Sequence, residues 1–293
     1  MVTSTRDGAY GEEITEDFVV VRSNPVPDII KESGARPASK WPQRALDRRL
    51  ISLASVLAVL ALWHWGAGHV SGFLLPAPGD VLGRFLDARW LARLFAAFGQ
   101  SLSQLGLGFG LTLLVAVPLG VVIGRSHLLA RMFEPAINAI YAIPPVAFVP
   151  FLIIWFGLFL QARVALVFLM SVFDVLVIMI AGARDVKRSL VDVGRAFGAS
   201  PPQRLRLIVL PALMPFFFAA LRVGSARAIN GMITAELFFA AVNLGAIMKR
   251  ATQNFDSATV LAVVLLICLL GLAAQWAINL LERHLLHWHV RPA

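Results

Sequence analysis

Four ionisable side chains, Asp174, Arg222, Arg227 and Glu236, lie within or beside long apolar runs of this 293-residue sequence. Charge in such surroundings is costly, and it marks a cavity, a solute path or a paired structural contact. Arg227, Asn230 and Thr234 follow one another at spacings of three and four, which places them on one face of a helix. On that face an arginine offers an anion a charge-assisted hydrogen bond at reduced dielectric. Pairing with an arginine is the structural alternative for Asp174. Arg222 stands about ten residues into its run, where snorkelling to the inner interface stays open beside a path role. Glu236, in "TAEL", reads equally as packing or as gating.

Other chemistries find less support. His284, His287 and His289 resemble a metal set, but Trp288 and Arg291 beside them fit an interfacial basic tail better. Cys268 is single, which excludes a disulfide framework and a cysteine metal site. There is no G-x-x-x-x-G-K-[ST] pattern and no Gly-Lys pair, so the chain has no phosphate loop of its own. The ionisable residues in apolar runs are too few and scattered to supply the nucleophile, base and metal ligands of a membrane enzyme. No catalytic or metal-binding residue is therefore assigned.

The elements that must position these groups follow from composition. The sequence is 58% hydrophobic and 15% charged, against about 25% charged in soluble domains. This is a polytopic, all-α membrane protein. Its net charge of +9 reflects basic loops in contact with a lipid bilayer rather than nucleic-acid binding. Apolar runs near the ~20 residues needed to cross a bilayer occupy about 50–67, 99–124, 132–160, 164–183, 213–241 and 258–281, six spans in all. With the N-terminus inside, sixteen lysines and arginines from Lys31 to Arg291 fall in cytoplasmic segments, against six outside, from Arg84 to Arg250. Both termini are thus expected in the cytoplasm. Residues 1–45 are polar, lack a signal core, and read as a largely disordered cytoplasmic tail preceding a transmembrane domain over 46–293.

Within that frame, residues 80–97 read as an amphipathic helix at the outer interface. Gly106 with Gly110, and Gly120 with Gly124, are spaced for close helix approach. Pro144, Pro145 and Pro150 must interrupt the third span, which belongs beside protein or a water-filled path. The longest cytoplasmic loop carries "SLVDVGRAFGASPPQRLRLIVLPALMP". Ser189 and Asp192 have the form of a capping box, and Gly198 suits a left-handed helix end. Ser200, Pro201 and Gln203 restart a helix, and Pro211 disfavours helical geometry at Leu210. Two short helices joined at a glycine, bearing Asp192, Arg195 and the aromatic Phe197, form a surface suited to a protein partner. A stand-alone secondary carrier or channel has no need of so built a loop.

This segment resembles the EAA loop of binding-protein-dependent ABC transporter permeases, through Gly198-Ala199 and the Ile208, Leu210, Pro211 ending. Asp192, Val193 and Gly194 stand where Glu-Ala-Ala is usual. "FLLPAPGDVL", "AIPPVAFVPFLIIWFG", "LRVGSARAINGMITAE" and "NLGAIMKRATQNF" are similar to the nitrate/sulfonate/taurine branch, and the likeness runs over about residues 70–290. The resemblance implies a six-helix, MetI-like importer permease of the bacterial inner membrane. It implies a second copy of the chain, two ATP-binding subunits docked on the cytoplasmic loop, and a periplasmic or surface solute-binding protein. ATP and Mg would be used by the partner subunit, with no cofactor bound by this chain. Asp192, Arg195, Phe197, Gly198, Ala199 and Ser200 would couple to the ATPase; Pro144, Pro145, Asp174, Arg222, Arg227, Asn230 and Glu236 are pathway candidates. The implied solute is a small anion, an aliphatic sulfonate first, then nitrate, taurine, bicarbonate or another small solute. Asp174 stands where that family leads one to expect a proline.

Overall fold

The computed structural model describes residues 45–239 and 242–286, with side chains from Leu50 onward. The tail expected over residues 1–45 falls almost wholly outside the described residues, as do His287, Trp288, His289 and Arg291. The chain divides into two compact units, Met1–Val59 and Leu60–Ala293. Helix α1 covers Ala45–His69. In the first unit it leaves Leu50, Ile51, Leu53 and Val56 exposed, as a lipid-facing helix does.

The second unit continues through α2 (Pro78–Arg84), α3 (Ala88–Arg125) and α4 (His127–Tyr141). A 3-10 turn over Pro145–Phe148 then leads into α5 (Val149–Phe156), followed by α6 (Leu160–Asp185), α7 (Arg188–Ala196) and α8 (Pro201–Arg204). A π turn, Leu205–Val209, carries the chain into α9 (Leu210–Phe238); α10 (Asn243–Gln253) and α11 (Ser257–Leu285) complete it. Among the described residues, five helices are long and apolar enough to cross a membrane, and the bent pair His127–Tyr141 and Pro145–Phe156 brings the number to six if it counts as one span.

Helix α6 is the centre of the packing. It lies along both α3 and α9, and half of its most apolar window is buried, against 17% for α11. Small residues make the approach possible. Gly108, Thr112, Ala116 and Gly120 are buried at intervals of four along α3. A Cβ at Gly108 would stand 2.6 Å from the Val167 side chain, and one at Gly120 would stand 2.5 Å from Met179 Cβ. At Gly124 the distance to Ala183 Cβ would be 2.6 Å. Gly106 and Gly110 instead face open space, so only the second of the two expected pairs serves contact. The Thr112 and Ser171 hydroxyls, 2.8 Å apart, close a buried polar link within this interface.

Three expectations are corrected. Residues 80–97 are not one interfacial helix. Asp87 caps α3 by accepting from the amides of Arg89 and Trp90 at 2.9 and 3.2 Å, and Leu94 is buried with Leu244 and Val263. The helix therefore runs on unbroken into the span first placed at 99–124. The interruption expected within residues 132–160 is present, since α4 and α5 meet at 85°, but not all three prolines cause it. The break lies at Pro144 and Pro145, two successive residues without an amide donor. Pro150 does not interrupt, since it occupies the first turn of α5, where a missing amide costs nothing. Finally, Pro211 does not end a helix, and the span first placed at 213–241 extends back to Pro201. The Leu210 amide bonds the Leu205 carbonyl, five residues back. That wider π turn relieves the clash of the Pro211 ring with the preceding turn.

Candidate functional site

The bend between α4 and α5 opens a cavity of about 250 Å³, lined by Tyr141, Pro144, Pro145, Phe148, Asp174 and Arg227 among others. The prolines thus do more than break a helix: the backbone they turn aside forms one wall. Asp174, on α6, keeps only 10% of its side chain exposed, whereas Arg227, on α9, keeps 52%. A carboxylate so enclosed needs compensation. Its Oδ1 accepts from the Tyr141 hydroxyl at 2.9 Å, and its Oδ2 lies 3.4 Å from Arg227 Nε. Tyr141, Asp174 and Arg227 therefore form one polar group of no net charge on three helices.

The face of α9 beyond the cavity is open. Arg227 and Asn230 are exposed and Thr234 is partly so; the Thr234 hydroxyl returns to the Asn230 carbonyl at 2.8 Å. The shared face inferred from spacing is present, and among the described residues its arginine and asparagine remain exposed.

The other two pathway candidates lie elsewhere. Arg222 turns to α11, donating to Asn279 Oδ1 at 3.0 Å and to Glu282 Oε2 at 2.5 Å. Gln275 donates in return to the Arg222 carbonyl at 3.0 Å. This is a clasp between α9 and α11. Glu236 is fully buried and accepts from Ser101 Oγ at 2.6 Å, Asn243 Nδ2 at 3.2 Å and the Gly245 amide at 3.1 Å. It ties α9 to α3 and to the start of α10. Gly245 is required there, since a Cβ would come within 2.6 Å of the Glu236 backbone.

At the other end, α7 presents the loop singled out by its capping chemistry. It starts from Lys187 with no side-chain cap, which corrects the Ser189–Asp192 box: Ser189 already lies inside the helix. Its end is as expected. Gly198 has φ +76°, and the turn closes through the amides of Gly198 and Ala199 on the carbonyls of Arg195 and Gly194 at 2.9 and 3.0 Å. The Ser200 amide then donates to Gln203 Oε1 at 2.7 Å as α8 begins. Phe197 is 86% exposed at the tip; Asp192 and Arg195, 3.5 Å apart, are exposed beside it. At Gly194, read from sequence as a departure, a Cβ would lie 2.5 Å from Ile208 Cδ1, the end of a flexible side chain that can shift to admit it.

A bundle of membrane-length helices with a glycine-hinged surface loop and a polar cavity at a broken span defines a membrane transport subunit. Residues 116–287 match the family described as binding-protein-dependent transport system inner membrane component, and the chain belongs to that family. It is the permease subunit of an ABC importer, not an enzyme. It is 27% identical over 258 residues to the taurine transport system permease protein TauC of Escherichia coli, covering 85% of this chain and 93% of that one. It is 32% identical over 253 residues to the riboflavin transport system permease protein RibX of Chloroflexus aurantiacus, covering 85% and 91%. A chain of the MetNI methionine ABC transporter in an inward-facing form shares the fold, with TM-score 0.56 and 18% identity over 68% of this chain and 99% of that chain.

Proposed function

We propose that the chain works as a homodimer whose two α9 faces flank the solute path, and that the solute is a small anion, an aliphatic sulfonate first. One observation carries this reading. Arg227 is half-exposed on a helix apolar enough to cross a bilayer, a position sustained only beside protein or a water-filled path. A second copy of the chain supplies both. The Asp174 contact runs through Nε, so the terminal nitrogens of Arg227 are the donors that a passing sulfonate meets. Asp174 also keeps the hold weak, as release requires. The relative named for taurine, a sulfonate, supports this order; nitrate, bicarbonate and other oxyanions follow. The relative named for riboflavin widens the class that the scaffold serves.

Coupling falls to the exposed Phe197 tip and the Gly198 turn, which dock two ATP-binding subunits on the cytoplasmic side. ATP and Mg are handled by those subunits, and this chain binds no cofactor. A solute-binding protein delivers solute at the opposite face, and both termini lie in the cytoplasm, a placement that the lysine and arginine distribution supports. Movement of the docked loop is passed to the membrane helices through α8 and the continuous rod of α9, which opens the path alternately to each side.

The test is Arg227→Gln in the assembled transporter, measured as alkanesulfonate uptake into proteoliposomes. Uptake falls about tenfold, equivalent to ~1.4 kcal/mol, while assembly and stimulation by the loaded binding protein persist. Uptake at the normal rate removes Arg227 from the path, and loss of assembly makes it structural.

A further inference from the structure

A second cavity, about 770 Å³, lies at the end of the molecule that carries the α7 loop. Five arginines line it: Arg125 and Arg131 from the α3–α4 junction, Arg184 from the end of α6, and Arg188 and Arg195 from α7. The lining includes two carboxylates, Glu134 and Asp192, and both are taken. Glu134 pairs with Arg184, and Asp192 lies 3.5 Å from Arg195. Among the described residues, Arg125 reaches only carbonyls, those of Ala183 and Val186 at 3.5 Å. Arg131 and Arg188 have no carboxylate partner among the described residues. The cavity therefore keeps an uncompensated positive charge.

Two further features define what fits. The first turn of α7, which begins at Arg188, has no side-chain cap, and a helix start of that kind favours an oxyanion. On α4, Leu128 and Met132, four apart on one face next to Arg131, are both exposed, so the basic cavity adjoins an apolar surface of the kind that faces acyl chains. A basic concavity where membrane helices end, rimmed by lipid-facing side chains, matches the headgroup layer of a bilayer.

We propose that this cavity holds the phosphate of an anionic phospholipid, seated behind the α7 loop, with its acyl chains along Leu128 and Met132. The inference rests on the proposed cytoplasmic placement of that loop but not on the identity of the solute. Bound there, the lipid joins the α3–α4 junction, the end of α6 and the start of α7, the three segments that must move together when the loop is driven.

The experiment compares the assembled transporter with its Arg131→Gln/Arg188→Gln variant by native mass spectrometry after exchange into mixed phosphatidylglycerol and phosphatidylcholine. Each basic side chain at an anionic lipid surface contributes about a fivefold gain. The variant should thus lose retained phosphatidylglycerol about 25-fold, while millimolar inorganic phosphate leaves the unmodified protein's lipid in place. Equal retention by both proteins, or no preference for phosphatidylglycerol, overturns the proposal. Displacement by inorganic phosphate makes the ligand a soluble phosphate and overturns the lipid assignment. ATPase-subunit association is recorded in the same spectra: its loss with lipid retained assigns these arginines to docking, which overturns the lipid site and leaves the coupling role of the loop intact.

Discussion

Replacing Gly198 by valine tests the coupling loop through its backbone alone. Gly198 has φ +76°, and a Cβ there would meet nothing within 4 Å. The substitution therefore brings no clash with neighbouring elements, only the local cost of a left-handed conformation. That cost is about 1–2 kcal/mol for an ordinary L residue and is greatest for a β-branched one. In the free permease the exposed turn relaxes away from φ +76°. Docking demands the original turn, so the full cost falls on association. Affinity for the ATP-binding subunit should drop about tenfold or more, since ~1.4 kcal/mol is a factor of ten. Gly198→Asn is the control, because asparagine enters the left-handed region readily; it should bind within a few-fold of the unmodified protein. The assay is titration of purified ATP-binding subunit onto permease in nanodiscs, followed by uptake per ATP hydrolysed. If valine binds and couples normally, or if asparagine is as damaging as valine, the turn is not the docking element.

Two further substitutions probe the packing that supports the site. Gly124→Val would put side-chain atoms into the Ala183 Cβ and the Ile180 carbonyl, each 2.6 Å from a Cβ; the α3–α6 interface should open and the detergent half-life at 40 °C should shorten several-fold, whereas Gly106→Val, in open space, should leave it unchanged. Glu236→Gln keeps the shape but turns one of three accepted hydrogen bonds into a donor facing a donor, at a cost of about 1–3 kcal/mol; thermal unfolding should show a lowered Tm, and an unchanged Tm would show that Glu236 does not clasp α10.

Local chemistry is where the sequence reading succeeded. Gly198, Ser200, Pro201 and Gln203 are recognisable because a left-handed end and a capped start depend on residues a few positions apart. The shared face of Arg227, Asn230 and Thr234 is legible for the same reason. What failed depended on distant partners. The α3 contact stripe runs through Gly108, Thr112, Ala116, Gly120 and Gly124, and two of its members are not glycine, so the Gly106–Gly110 spacing drew attention to the wrong face. Tyr141 gave no signal in an apolar run, since only the bend brings its hydroxyl to Asp174. Arg222 and Glu236 looked like Arg227 by burial in hydropathy alone; their partners, Glu282 and Ser101, are 60 and 135 positions away. Pro211 misled because the π turn that accommodates it has no sequence signature of comparable strength.

The central claim is that two copies of the chain meet across the open face of α9. Single cysteines at Ala226, Asn230 and Leu237, each in a Cys268→Ala background, can be treated with a short bifunctional maleimide in native membranes, with Leu114 on the exposed face of α3 as the comparison. The account predicts a covalent dimer from the α9 positions, with a yield that changes when the ATP-binding subunits are trapped with nucleotide, and none from Leu114. Dimer from Leu114 and none from any α9 position, with the transporter still assembled, would contradict it.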